Sequence, residues 1–292
     1  MLFCLASAAA FGVMGVLGKL AYEEGATVGT LLATRFVLAA AVFWLFMVCA
    51  GRIGDLRGLS RRDLGFAVGL GAVVYGAQAG CAFAALERLD ASLFSLLLYT
   101  FPVLVTVAAV ALGREPVRTR TAFALLLASS GLVLVLAGAA AGSLDPLGTL
   151  LALGAAVIYS AYILGSEGVA SRLGPLLLST LLCTGAATTL TLVGLAAGDL
   201  APARVSASGY LWLGALAVVS TVGAIALFFA GLRRVGPTAA SILSTLEPVV
   251  TVALAFVTFG ESLSPGQLAG GALVLSAVLA VRATSHKRRE TA

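Results

Sequence analysis

Apolar stretches of about 20 residues recur along the whole chain, separated by short breaks that carry charged residues, Gly or Pro. A helix needs about 20 residues to cross the hydrocarbon core of a bilayer, which is about 30 Å thick. Only 11% of the 292 residues are charged, whereas an average soluble domain has about a quarter. The sequence therefore predicts an all-α membrane protein that lies in the lipid bilayer and has no long soluble domain.

The apolar stretches predict ten transmembrane helices. We place them at 2–22, 29–50, 63–86, 91–112, 119–139, 146–167, 174–197, 208–232, 238–259 and 265–283. Only A-A-G-S-L-D-P separates the fifth span from the sixth. This Ala- and Gly-rich region could instead form a helical hairpin that enters the membrane only partly.

Lys and Arg residues are distributed unevenly over the connections. When the connections are assigned alternately to two sides, three cations (Lys19, Arg88 and Arg204) fall on one side, and Arg35 lies within a span. The other fourteen fall on the opposite side, at Arg52, Arg57, Arg61, Arg62, Arg114, Arg118, Arg120, Arg172, Arg233, Arg234, Arg282, Lys287, Arg288 and Arg289. The positive-inside rule makes that side cytoplasmic and predicts that both termini are cytoplasmic. This orientation also explains the basic pI of 9.3 without a nucleic-acid partner.

The two halves of the chain are related. A shift of 146 residues aligns Pro102 with Pro248 without a gap, and the same shift pairs Leu86 with Leu232, Arg88 with Arg234, Ser95 with Ser241, Leu97 with Leu243, Val103 with Val249 and Glu115 with Glu261. We therefore predict two repeats, 1–140 and 141–292, of five helices each. Because five is an odd number of crossings, the second repeat enters the membrane from the opposite side. Inverted repeats with interrupted helices are typical of transporters whose site lies near the midplane.

Glu247 stands directly before Pro248 inside an apolar run. A carboxylate at the bilayer centre costs about 2.5 kcal/mol or more, so it should face a cavity, find a partner or be protonated. Pro248 removes a backbone donor and should bend the helix, and Pro102 should do the same in the first repeat. We interpret both prolines as hinges. Phe101 is the counterpart of Glu247, so the bend does not require the carboxylate, which could bind substrate or a proton, or tie the bent helix to a neighbour.

Further polar residues lie well inside the predicted spans. Ser244, Glu247 and Thr251 share one helical face. Aromatic rings with polar tips suit a cavity for a partly apolar solute, although each tyrosine could also be a packing residue or an interfacial anchor. The predicted substrate-binding residues are Glu247, Ser244, Thr251, Tyr75, Gln78, Tyr99, Tyr159, Tyr162 and Arg35.

Three further charged residues lie near the ends of predicted spans. Arg35 lies about six residues into the second span and could bind a substrate carboxylate, pair with Glu247 or snorkel to the surface. Lys19 has the same options and also has Glu23 one turn away. Glu261 stands at a helix end, where a solvated cap or loop carboxylate is expected.

The sequence gives no support for an enzyme, a metal site or a cofactor. Its single histidine, His286, lies in the basic tail, and the four cysteines form no C-x-x-C pair. G-x-S-x-G and H-E-x-x-H motifs are missing, as is the Walker G-x-x-x-x-G-K sequence. We therefore expect no catalysis and no ATP-driven step.

Several stretches resemble the drug/metabolite transporter superfamily, EamA type. They are A-T-R-F-V-L-A-A-A in the second span, S-x-L-x-x-L-E-P-V-V-T-V in the ninth, the following F-G-E-S-L-S-P-G-Q-L-A-G-G-A-L-V-L-S-A-V-L, and its weaker copy L-G-R-E-P. The resemblance covers essentially the whole chain and implies two inverted five-helix repeats around a central cavity, lined mostly by the first, third, fourth, sixth, eighth and ninth spans. The sequence departs from the pattern at Phe101 and at Arg114, which interrupts the first Gly-Glu.

The resemblance also implies a function. Such proteins usually export small metabolites or amino acids from the bacterial cytoplasm, so we expect a secondary transporter in the cytoplasmic (inner) membrane, as a monomer or weak homodimer. The tyrosines and the resemblance favour aromatic amino acids as the small-molecule substrate. Multidrug or organic cation efflux is the alternative, and a passive channel is a further one. Proton coupling and uniport remain equally open.

Overall fold

The computed structural model describes residues 1–113, 145–236 and 246–282, together with isolated positions within 119–134 and 240–244. These residues form nine long helices and no strand. In chain order the helices are α1 (Leu2–Glu23), α2 (Val28–Cys49), α3 (Arg61–Leu86), α4 (Ala91–Ala111), α5 (Pro146–Leu173), α6 (Pro175–Ala196), α7 (Ala207–Val235), α8 (Leu246–Phe259) and α9 (Pro265–Arg282). Short 3-10 helices occupy Arg52–Gly58 and Pro202–Arg204.

Seven of these helices, α1 to α7, are long and apolar enough to cross a membrane, and α8 is a shorter apolar helix. The prediction of an all-helical membrane architecture is confirmed at this level. The predicted fifth span, 119–139, lies mostly outside the described residues, as does the basic tail. Ten helices and the inversion of the repeats therefore stay predictions.

Helix starts follow from local sequence. Side-chain caps precede α2, α3, α5 and α7, where Thr27, Ser60, Asp145 and Ser206 accept the N–H groups of Thr30, Asp63, Gly148 and Gly209. Such caps satisfy backbone donors that have no partner within the helix. In the apolar setting of this chain, they mark where each span leaves the polar connection.

Four of the long helices are interrupted. Regular α-helix is broken at Val13 in α1 and at Tyr99 and Thr100 in α4, just before Pro102. Single π-helical segments interrupt α3 at Leu70–Tyr75 and α7 at Val218–Gly223. The 146-residue shift nearly superimposes these two segments, so the interruption is shared by the two halves. Such π segments frequently occur at functional sites.

Contacts between the halves repeat in pairs. Helix α1 packs on α7 and α8, while its counterpart α5 packs on α3 and α4; likewise α2 packs on α7 and α6 on α3. The contacts of α2 with α6 and of α4 with α8 join counterpart helices directly.

At the crossing of α3 and α6, a Cβ added to Gly71 would collide with the backbone of Leu182, and one added to Gly185 with that of Val68. Glycine is therefore required for this close helix approach.

The end of the bundle that carries few cations is fastened by Glu261. Its carboxylate accepts hydrogen bonds from Ala91 N–H (3.2 Å) and from the N–H and hydroxyl of Ser92 (3.0 and 2.8 Å). The Lys19 ammonium lies 3.2 Å from Glu261 and 3.5 Å from Asp90. We call these residues, Lys19, Asp90–Ser92 and Glu261, the Glu261 latch.

The latch corrects two interpretations made from the sequence. Glu261 was expected to be solvated, but its side chain is only 10% exposed because it caps the first turn of α4. Lys19 was expected to bind a substrate carboxylate, to pair with Glu247 or Glu23, or to snorkel. It instead pairs with Glu261 and Asp90, which come from distant parts of the chain. The latch thus joins α1, α4 and the connection between α8 and α9.

Candidate functional site

A small cavity lies among six helices that come from both halves. Its volume is about 20 Å³, which is room for about one water molecule. It is lined by Phe11 and Met14 from α1, Arg35 from α2, Tyr75, Gln78, Ala79, Ala82 and Phe83 from α3, Leu98 from α4, Tyr159 from α5 and Glu247 from α8. A cation and a carboxyl group therefore share one mostly apolar enclosure.

Glu247 lies where the interruption of α4 meets the start of α8. Pro248 has no N–H to offer the Ser244 carbonyl, and this carbonyl instead accepts the Glu247 N–H at 2.9 Å and the Tyr99 hydroxyl. The same hydroxyl lies 2.7 Å from Glu247 Oε2. Since one hydroxyl carries one proton, Ser244 and Glu247 compete for it, and Tyr99 couples the carboxyl group to the helix break.

Arg35 is 1% exposed and does not snorkel. Its Nε donates to Thr221 Oγ1 at 2.6 Å, and its guanidinium lies over the rings of Phe36 and Phe83 at 4.8 and 5.1 Å. Thr221 donates its own proton to the Leu216 carbonyl at 3.0 Å, five residues back, within the π segment of α7. The π segment therefore turns an acceptor lone pair of Thr221 towards Arg35.

Arg35 and Glu247 do not form an ion pair with each other. Among the residues that the structure describes, no carboxylate lies within ion-pair distance of Arg35, and the partners of Glu247 are hydroxyl and backbone groups. Arg35 and the carboxyl group of Glu247 are thus each held by neutral partners. The alternative in which Arg35 neutralises Glu247 directly is wrong for this arrangement.

A chain of six aromatic rings runs from the neighbourhood of Arg35 to that of Glu247. Phe36, beside Arg35, contacts Tyr75 edge-on at 5.6 Å, and Tyr99, beside Glu247, contacts Phe101 at 5.1 Å. Between them the chain continues from Tyr75 to Tyr162 (4.9 Å), Tyr159 (5.7 Å) and Phe101 (4.7 Å). These spacings are typical of favourable aromatic pairs. The rings form a wall that runs through α2, α3, α5 and α4.

The structure places the predicted site residues in three groups. Arg35, Tyr75, Gln78, Tyr159 and Glu247 line the cavity. Tyr99 and Tyr162 lie behind it, in contact with Glu247 and with the lining tyrosines. The hydroxyls of Ser244 and Thr251 bond to backbone carbonyls, at Ala240 (3.0 Å) and Gly12 (2.9 Å), and neither residue lines the cavity. The Ser244 bond is local, four residues back, whereas the Thr251 bond joins α8 to α1.

Sequence reasoning missed the apolar part of the lining. Phe11, Met14, Ala79, Ala82, Phe83 and Leu98 look like core residues in a chain of this composition. A signal existed in α3, because Ala82 lies four positions after Gln78, on the same face of the helix.

Apolar spanning helices, helix breaks in both halves and a charged cavity between the halves define a helical membrane protein of the transporter class. The chain belongs to the EamA-like transporter family, within the drug/metabolite transporter superfamily, and the family model matches it twice, at residues 1–137 and 146–283.

Two proteins with similar sequences are also named as transporters. It is 27% identical to the uncharacterized transporter YcbK of Bacillus subtilis (strain 168) over 276 residues, which are 92% of this chain and 88% of the relative. It is 30% identical to an uncharacterized transporter of Archaeoglobus fulgidus over 201 residues, 67% of this chain and 68% of the relative. A protein of known crystal structure, 22% identical, superposes with a TM-score of 0.74 over 100% of this chain and 98% of the other, which extends the likeness in fold to the full length.

Proposed function

We propose that this transporter is a secondary exporter of small metabolites, with amino acids as substrates and aromatic ones favoured. It acts in the bacterial cytoplasmic membrane as a monomer or weak homodimer, with ten spanning helices in two inverted repeats and both termini cytoplasmic. It catalyses no covalent step. Alternating access at the cavity between the repeats moves the solute.

The observation that carries this proposal is that Arg35 and Glu247 line the same cavity between the halves. Charged side chains at membrane depth are costly and mark solute pathways. Tyr75 and Tyr159, the two rings of this wall that line the cavity, offer flat apolar faces to a ring-bearing solute. Residues of both halves line the cavity, so a movement of one half against the other would change its size and access.

The small cavity supports a contracted state of the transport cycle. A volume of about 20 Å³ cannot hold an amino acid, so the helices around it must separate for binding. The breaks in α4 and before α8 and the π segments in α3 and α7 are places where such movement needs little loss of regular helix. The Glu261 latch keeps the cation-poor end, which we propose to be external, closed in this state.

Efflux of organic cations is the second candidate. Glu247 and the surrounding rings would suit a cation, since aromatic faces and a carboxylate both attract positive charge. Arg35 opposes this candidate because its guanidinium remains charged in proteins and lines the same cavity.

Counterflow in proteoliposomes tests the proposed function. Vesicles with the full chain and protein-free vesicles are preloaded with one unlabelled solute, and entry of the labelled form is measured for the amino acids and for a set of cationic drugs. We expect exchange of amino acids, fastest for Phe, Tyr or Trp. Exchange of cations alone would support efflux instead, and no exchange of any solute would refute the transport assignment for this cavity.

A further inference from the structure

We propose that Arg35 and Glu247 recognise the two opposite charges of a zwitterionic solute, Arg35 its carboxylate and Glu247 its ammonium group, so that solutes with only one charge are rejected. This inference rests on the proposed transport function and specifies which chemical groups its site requires. It separates amino acids from the organic cations that were the alternative.

The first argument is the balance of charge in the cavity. Arg35 stays cationic, and its neighbours are the hydroxyl groups of Thr221 and Tyr75 and two aromatic rings. Glu247 has a tyrosine hydroxyl as its side-chain partner. Neutral partners leave each group able to take up an opposite charge. A zwitterion supplies one of each without adding net charge to the enclosure.

The second argument is the separation of the two groups. Arg35 and Glu247 line the same cavity but form no ion pair. An ion pair between them would remove the need for a charged ligand. Thr221 holds Arg35 from the side of α7, and Tyr99 holds Glu247 from the side of α4. These second contacts keep the two charges apart and ready for a solute that extends between them.

The third argument is the character of the rest of the lining. Phe11, Met14, Ala79, Ala82, Phe83 and Leu98 present hydrocarbon or an aromatic face. A solute with both charges at one end and an apolar group at the other matches this distribution, as an α-amino acid does. Arg35 lies in the first half and Glu247 in the second, so the bound solute connects the two halves and can favour their approach.

Analogues that lack one charge test the inference on the full-length protein in proteoliposomes. Counterflow of labelled phenylalanine is competed with unlabelled phenylalanine, with 2-phenylethylamine, which lacks the carboxylate, and with 3-phenylpropionate, which lacks the ammonium group. We expect phenylalanine to compete about 30-fold better than either analogue, because each analogue leaves one buried charge without its partner. Leucine, 3-methylbutylamine and 4-methylpentanoate form a second series for the same comparison.

Two variants should each weaken a different one of these two preferences. In Glu247→Gln the preference over 3-phenylpropionate should shrink to about threefold, while the preference over 2-phenylethylamine is kept, since only the ammonium site is lost. In Arg35→Gln the two changes should be reversed. Arg52→Gln, which removes an exposed cation paired with Asp55, is the matched control and should keep both preferences.

The outcomes are distinguishable. If 2-phenylethylamine competes as well as phenylalanine in the wild type, the inference is overturned while the transport function stands. The same holds if both analogues respond alike in the two variants. If Arg35→Gln does not fold, the wild-type ranking and Glu247→Gln alone decide. If no amino acid and no cation exchanges in the wild type, the proposed function itself fails.

Discussion

The helix breaks before Pro102 and Pro248 occupy equivalent positions in the two halves, yet they carry different chemistry. Before Pro102 stands Phe101, which is fully buried between the rings of Tyr99 and Tyr159. Before Pro248 stands Glu247, which lines the cavity and binds the Tyr99 hydroxyl. Both prolines leave the helix without one backbone donor.

The comparison separates the architecture from the chemistry. A break that occurs in both halves belongs to the repeated fold, because an apolar residue serves it equally well at 101. The carboxyl group occurs in one half only and costs free energy to bury, so we infer that its position is retained for solute binding. Tyr99 joins the two breaks directly, since it belongs to one and bonds to the other.

The largest effect is expected from Phe101→Glu, which gives the first break the chemistry of the second. Residue 101 lies among aromatic rings and does not line the cavity, so an added carboxyl group would be buried without a matched partner. The free energy of unfolding should fall by about 3 kcal/mol or more. Thermal unfolding in detergent checks this, with Phe101→Leu as the control. Equal midpoints for both variants would show that either break accepts a carboxyl group.

Glu247→Leu makes the opposite exchange and should separate stability from transport. Removal of a buried ionisable group relieves a desolvation cost, so the unfolding midpoint should stay the same or rise. Counterflow of amino acids should fall by about 30-fold because the ammonium partner is gone. Full transport by this variant would contradict the role assigned to the carboxyl group.

Pro102→Ala and Pro248→Ala should behave alike if the breaks are hinges. Alanine restores the N–H, which at position 248 can compete with Tyr99 for the Ser244 carbonyl. A straighter helix should raise the unfolding midpoint and slow transport about tenfold, which corresponds to about 1.4 kcal/mol in the barrier. Pro146→Ala is the control, because Pro146 lies in the first turn of α5, where proline is tolerated. If only one of the two substitutions changed the unfolding midpoint and the transport rate, the two breaks would not act as equivalent hinges.

The smallest effect is expected from Tyr99→Phe, which disconnects the two breaks and keeps the ring. Loss of one buried hydrogen bond costs about 1 kcal/mol, so amino acid affinity should fall about fivefold. Binding measured by the thermal shift with added phenylalanine checks this. Tyr162→Phe is the control, since the described contacts of Tyr162 are made by its ring. Equal losses in both variants would assign the effect to packing.

Much of the fold could be predicted because membrane spans are long and their composition is distinctive. The apolar runs and their Gly, Pro and charged ends located α1 to α9 to within a few residues, except that α5 continues past its predicted end at 167 to Leu173 and that α8 begins at Leu246. The proline pair marked both breaks, since its effect on the backbone is local. The π segments in α3 and α7 carry no such mark, because they depend on how whole helices pack.

The site was predictable only where a polar residue stood out against hydrocarbon. Glu247, Arg35 and Gln78 could be identified by their cost in an apolar span. Met14 and Leu98 could not, because apolar lining and apolar core have the same sequence signature. Glu261 was assigned to solvent because its partners, Lys19 and the start of α4, come from distant sequence.

The Glu261 latch also determines how the proposed outer face responds to acid. Burial acts to raise the pKa of Glu261, but the donors of Ser92, the charge of Lys19 and the N–H of Ala91 outweigh it and lower that pKa. A carboxylate with a lowered folded pKa stabilises the closed end at pH values above its unfolded pKa, and this contribution is lost only as the pH falls through the lowered value. Unfolding midpoints of the wild type and Glu261→Gln, compared as the medium is acidified, should converge only below the ordinary carboxyl range. In a mildly acidic medium, the proposed external end of the transporter would therefore stay closed.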